Sequence, residues 1–234
     1  MRITLINPNT SRAMTAKIAA AAREVAAPDV EIVAICPEHG PAAIESHYDE
    51  AYASVAIAEL IRADAEAGGS DGYVIACFGD PGVDAARELV EVPVVGIAEA
   101  AMHVAVLSGR SFGIVTTLSR TLGRAQDLLH RHGFERACVA AYGTGIPVLD
   151  LEHATGEALD EIAAWCDRLV RQDQADVIVL GCAGMADLCR RLTERVGVPV
   201  VDGVAAAVGL VVAMARMRVG TSKRDEYAAP PRLA

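Results

Sequence analysis

The stretch Asp71–Ala101, DGYVIACFGDPGVDAARELVEVPVVGIAEAA, returns in altered form as Ala175–Ala207, ADVIVLGCAGMADLCRRLTERVGVPVVDGVAAA. Each copy runs from Asp through an apolar strand to a Cys, a Gly-containing turn and a helix. Each then gives Val-Pro-Val-Val and a second Ala-rich helix. Cys77 lies 16 residues before Pro93, and Cys182 lies 17 before Pro199. A weaker match pairs INPNTSR from Ile6 with IVTTLSR from Ile114. Short apolar strands alternating with helices predict parallel sheets with helices on both faces. The repeat predicts two such units: an α/β fold of two pseudo-symmetric Rossmann-like lobes. The expected division is 1–96 plus 205–234 for the first lobe and 97–204 for the second, with the last helix returning to the first.

Before and between the copies the pattern continues. Strands are expected at Arg2–Ile6, Val30–Cys36, Phe112–Val115 and Ala137–Ala141. Helices are expected at Arg12–Ala26, Tyr48–Ala67, Arg120–His132 and His153–Gln172. A loop is expected from Tyr142 to Leu151, and the second repeat carries a helix at Met185–Arg195. The tail from Gly220 holds Pro230 and Pro231 and should run over the surface.

Composition narrows the function classes. The 234 residues are 53% hydrophobic and only 4% aromatic, so Ala, Val, Ile and Leu must build the core. The net charge of −10 offers no basic footprint for nucleic acid. The N-terminus does not read as a signal peptide, and no apolar run is long and uncharged enough to cross a membrane. A cytoplasmic protein with reduced cysteines is the expectation. Ala- and Val-rich helices with apolar outer faces suggest a homo-oligomer. None of the six cysteines forms a CxxC pair or a zinc-spaced cluster with His. The Gly-rich stretches match neither GxGxxG nor a P-loop. Lys17, on an expected surface helix, and Lys223, in the tail, are the only lysines, which argues against a Schiff-base cofactor. No cofactor and no metal are expected.

In open parallel sheets, ligands bind beyond the carboxyl ends of the strands. Cys77 and Cys182 occupy two such ends, each before a helix whose N-terminus should lower the thiol's pKa. If the lobes face each other, the thiols meet across one cleft. One thiolate and one thiol there could remove a proton from one face of a carbon acid and return one to the other. Backbone N–H groups of the following turns could hold the enolate oxygen. Cys36, Cys138, Cys166 and Cys189 read as small core residues. Asp80 either tunes Cys77 or caps the following helix. Asn7 and Asn9 read as turn formers around Pro8. His130 and His132 are expected to face solvent.

Six motifs resemble one family: INPNTS at Ile6–Ser11, IESHYDEA at Ile44–Ala51, ACFGD at Ala76–Asp80, VTTLSR at Val115–Arg120, IPVLDLE at Ile146–Glu152 and GCAGM at Gly181–Met185. Together they resemble the aspartate/glutamate/hydantoin racemase superfamily, in its hydantoin and allantoin racemase branch. The resemblance implies a cofactor-independent racemase acting at C5 of a 5-substituted hydantoin, with allantoin the alternative substrate. It implies Cys77 and Cys182 as the two bases. It also implies Asn9, Tyr48, Phe78, Gly79, Thr116, Thr117, Ala183 and Gly184 around the substrate. Amino-acid racemases of the superfamily follow their thiols with Asn-Thr or Thr-His. Phe78 and Ala183 stand here instead and favour a neutral cyclic amide over a free amino acid. Family decarboxylases carry glycine where Cys77 stands. A two-lobed binding protein, a small-acid isomerase and a thiol redox protein are the rival classes.

Overall fold

The computed structural model describes residues 1–153 and 156–231. Strands β1 (Arg2–Ile6), β2 (Glu31–Ile35), β3 (Gly72–Ile75) and β4 (Val94–Gly96) form one sheet in the order β2-β1-β3-β4. Strands β5 (Phe112–Thr116), β6 (Cys138–Gly143), β7 (Val177–Gly181) and β8 (Val200–Asp202) form a second in the order β6-β5-β7-β8. Every pairing is parallel. The two orders are the same order displaced by four strands, which is the sequence repeat expressed as topology.

Alternation along the strands sets the layers. Leu5, Val74, Ile114 and Val179 turn to a common core between the sheets. Ile6, Tyr73 and Ile75 turn the other way, under helices α2 (His47–Glu66) and α3 (Val83–Leu89). Val115, Ile178 and Leu180 turn outward under α6 (Gly156–Arg171) and α7 (Cys189–Val196). The central layer holds α1 (Arg12–Val25), α4 (Ile97–Ser108), α5 (Leu122–His132) and α8 (Gly203–Met217). Helix α4 packs on β7 of the second sheet, α8 on β3 of the first, and the two against each other. The four strands at the sheet centres, β1, β3, β5 and β7, are buried on both faces apart from Arg2 at the start of β1, as parallel sheets between helices require.

Local signals account for most boundaries. Ser11 begins α1 by accepting from Met14 N, and Asp202 begins α8 by accepting from Val204 N and Ala205 N. Ser46 and Asp49 begin α2 with reciprocal side-chain contacts. Three expectations need correction. The helix expected over Met185–Arg195 is a 3-10 turn, Ala183–Leu188, followed by the short α7. The loop expected from Tyr142 to Leu151 gives up its start to β6, where Tyr142 and Gly143 pair with Val115 and Thr116, and its end to a 3-10 turn at Val148–His153. Helix α6 begins at Gly156; the residues before it, 154–155, lie outside the described residues. The tail does cross the surface, tied to the turn after α3 by Thr221 N on Glu91 O and to α3 itself by Tyr227 Oη on Asp84.

Candidate active site

The carboxyl ends of β1 and β3 in one lobe face those of β5 and β7 in the other across one cavity. Counting its open mouth, it encloses about 670 Å3. Cys77 and Cys182 both line it, and both residues are half-buried. Asn9, Phe78, Gly79, Thr116, Thr117, Ala183 and Gly184 line it with them. Cys36, Cys138, Cys166 and Cys189 are not among its lining residues, and Cys166 is buried in the outer core of the second lobe.

Tyr48 does not belong to this group. It is 71% exposed and rests against Tyr52, with ring centroids 5.1 Å apart. The helix explains the error. Two residues on, roughly 200° around α2, Glu50 faces the cavity, so Tyr48 must face away.

The INPNTS turn is held by its own side chains. Asn7 Nδ2 donates to Asn9 Oδ1 at 2.7 Å and to Thr15 Oγ1 at 3.0 Å, and Ser11 N donates to Asn9 Oδ1 at 2.9 Å. Asn9 therefore spends its oxygen on the turn, while its Nδ2 has no protein acceptor among the described residues and is free to donate into the cavity. Thr116 Oγ1 donates to Gly181 O at 2.9 Å, fixing the residue before Cys182. Thr117 keeps its hydroxyl unpaired among the described residues and lines the cavity.

The electrostatics of the thiols differ from the sequence expectation. Burial pushes Cys77 up to about 12; the Gly79 N–H opposes this, and negative charge on Cys182, Glu50 and Asp80 adds to it. Burial pushes Cys182 up to about 11, opposed by the Gly184 N–H and the Lys17 ammonium, with Glu45 adding to the rise. The amides of the turns that follow the two thiols, rather than the start of α3, supply the opposing pull, but desolvation outweighs them. They also act on the sulfurs: Gly184 N lies 3.4 Å from Cys182 Sγ. A thiolate on Cys182 raises the cost of one on Cys77, so ionising both sulfurs together is disfavoured.

Neighbouring groups complete the setting. Asp80 does cap a helix, but not the one that follows it. Its carboxylate accepts from Ala98 N at 3.0 Å and Glu99 N at 2.8 Å, the start of α4, while burial pushes it up to about 7. Lys17 is no free surface lysine. Its side chain is 17% exposed, and Nζ reaches across to Leu151 O and Asp187, each at 2.9 Å. His132 is half-buried near His103 rather than facing solvent, whereas His130 is exposed and pairs with Glu135. Asp80, Glu99 and His132 bring ligand atoms within 4.8 Å of one another. Arg87 already occupies Glu99 at 2.8 Å, and both Asp80 oxygens hold amides, so this cluster is committed to structure.

Sequence reasoning left out Glu50, Thr121, Arg124, Ile44, Met14 and Val148, all of which line the cavity. Ile44 and Glu50 stand inside the quoted IESHYDEA stretch, and Val148 inside IPVLDLE. Arg124 had no signal at all: it is one arginine on an amphipathic helix.

Comparison with known proteins gives one answer. The family described as Asp/Glu/Hydantoin racemase matches residues 3–211. A hydantoin racemase of Rhizobium meliloti is 42% identical over 230 residues, 98% of this chain and 95% of that one. The structure of an allantoin racemase from Klebsiella pneumoniae superposes with a TM-score of 0.96 at 51% identity, covering 99% of this chain and 94% of that one. An allantoin racemase from Pseudomonas fluorescens gives 0.95 at 38% identity, covering 99% and 97%.

Proposed function

The chain belongs to the Asp/Glu/hydantoin racemase family and is a racemase, and from that premise we propose that it inverts C5 of a hydantoin-type ring with Cys77 and Cys182 as the two bases. One thiolate takes the C5 proton, and the C–H electron pair moves into the ring carbonyl as an enolate. The opposite thiol gives its proton to the other face of C5, so the two sulfurs exchange states in each turnover. Asn9 Nδ2 and the Thr117 hydroxyl stand as donors for the ring oxygens. Phe78, Gly79, Thr116, Ala183 and Gly184 shape the walls. The step balances with no oxidant, reductant or cofactor.

The observation that supports this reading above others is that both thiols, carried by equivalent strand ends, line the same cavity. A hydantoin with a carbon substituent and allantoin both satisfy the reading at this level, and each names relatives of the chain.

The test follows deuterium entry at C5 and loss of optical rotation in buffered D2O, using an optically pure 5-substituted hydantoin. Cys77→Ser and Cys182→Ser should each lower racemisation by about 10²–10⁴-fold. Undiminished racemisation in both variants would refute the two-thiol mechanism.

We read the working form as a cytoplasmic homo-oligomer of two-lobed subunits, split at 1–96 plus 205–234 and 97–204. Free cysteines suit a reducing compartment. Tyr48, Tyr52 and Val55 make an exposed apolar stripe along α2 that suits self-association. Among the described residues, no helix is long and apolar enough to cross a membrane.

A further inference from the structure

We propose that Glu50 and Arg124 form a paired donor–acceptor subsite that reads the C5 substituent and selects a planar polar group carrying both a carbonyl and an N–H, a ureido group above all. The hydantoin so substituted is allantoin. This inference rests on the racemase reading and deepens it.

The pair is built at the seam of the two lobes. Arg124, on α5, donates Nε to Gly79 O at 2.9 Å, in the turn that carries Cys77. That bond fixes the guanidinium, yet neither Nη has a protein acceptor among the described residues. Glu50, on α2, holds its Oε1 3.7 Å from Arg124 Nε and its Oε2 3.6 Å from His47 Nδ1. Both separations are too long for hydrogen bonds, so the carboxylate accepts no side-chain or backbone donor among the described residues. The two side chains are 30% and 21% exposed and line the cavity that holds the thiols. Gly79 makes the placement possible, since a Cβ there would fall 2.7 Å from Glu50 Oε1. A donor fork and an acceptor pair thus stand side by side, each with valence left for a ligand.

Stereochemistry says which part of the ligand meets them. At the enolate stage C5 is trigonal, with one sulfur above its plane and one below. If Asn9 and Thr117 on the strand-end turns hold the ring, the substituent leaves C5 within the same plane and away from them, where Glu50 of α2 and Arg124 of α5 complete the lining of the cavity. A ureido group can accept from Arg124 Nη and donate to Glu50. An alkyl group would instead cover a loose ion pair and give neither member a hydrogen bond. A site whose polar groups are left unpaired rejects such an analogue far more strongly than an apolar pocket rejects an extra methylene.

The test compares allantoin with 5-propylhydantoin, similar in reach but apolar. Deuterium entry at C5 is followed by NMR, and each rate is divided by the uncatalysed rate in the same buffer. The wild type should favour the ureido compound in kcat/KM by at least about tenfold. Arg124→Met and Glu50→Gln should each lower that ratio, Arg124→Met by about tenfold or more. Equal or better turnover of the propyl compound by the wild type would overturn the subsite, whatever the variants do. An unchanged ratio in both variants would also overturn it and leave the pair as a latch between lobes. Exchange with neither ring would overturn the racemase reading and the subsite together.

Discussion

Raising the pH tests the balance of forces at the two sulfurs. Burial holds Cys182 near 11 and Cys77 near 12, against 9.0 for an unperturbed thiol. At pH 8 the easier of the two, Cys182, is then ionised in about one molecule in a thousand, so forming the thiolate that the proposed mechanism needs costs about 4 kcal/mol. Each unit of pH recovers about tenfold of this. The slope of log kcat/KM against pH should therefore be close to +1 from about pH 7 to 10, with no plateau. The ring N–H of the substrate titrates too, and its value is measured separately and divided out. Ultraviolet thiolate absorbance, wild type minus Cys77→Ser/Cys182→Ser, reads the same ionisation without substrate. A plateau with an apparent value at or below 8 in both measurements would refute the reasoning, because the amides of Gly79 and Gly184 with Lys17 would then outweigh desolvation.

Three further outcomes follow from named contacts. Lys17→Met removes the one nearby cation that favours a thiolate on Cys182, and kcat/KM at pH 8 should fall by about tenfold with the slope kept. For Asp80, burial raises the folded value from 3.8 to about 7. Its protonated carboxyl contributes fully below about pH 4, and that contribution is lost as pH rises through 7, on the order of 3–4 kcal/mol. Asp80→Asn should flatten urea-midpoint stability between pH 4 and 8; an unchanged pH profile would contradict the burial of that charge. Gly96→Ala sets a methyl group onto the Asp80 carboxylate. It should cost about 1–3 kcal/mol in a thermal melt and slow turnover by shifting the Cys77 loop, whereas a variant of full stability and activity would show slack in that contact.

How far a feature could be read from sequence tracked how local its cause was. The repeat around Cys77 and Cys182 carried both sheets, because period-2 burial and strand-end turns leave marks within about thirty residues. The same locality placed Asn9, Thr116 and Thr117 at strand ends. Tyr48 went wrong because only a helix phase, set by what α2 packs against, decides which of its residues faces inward. Asp80 was legible as a cap but not as the cap of α4, since its amide partners Ala98 and Glu99 lie 18 and 19 residues on. Thiol acidity was misjudged for the same reason. The amides of the turns after the thiols are adjacent in sequence and could be foreseen, whereas the desolvation that outweighs them comes from two lobes closing together. Lys17 shows the converse, a charge on an amphipathic helix whose partners Leu151 and Asp187 belong to the other half of the chain.

The two halves repeat their backbones but not their charges, and a racemase constrains what that asymmetry can do. Cys77 is flanked by Glu50 and Asp80, and Cys182 by Lys17 and Glu45, so both thiols rest protonated and Cys182 gives up its proton at the lower cost. On the proposed two-thiol mechanism, the enantiomer deprotonated by Cys182 then needs the cheaper ionisation and the other the costlier one. Yet enantiomers in water have equal free energies, so kcat/KM must be equal in the two directions at every pH. The bias can therefore appear only as a matched change of kcat and KM between directions. Lys17→Met must lower kcat/KM by one common factor for both enantiomers while altering their individual kcat values unequally. A variant whose kcat and KM moved identically in both directions would mean that the charges around the two thiols act on them alike, despite lying on different sides of the cavity.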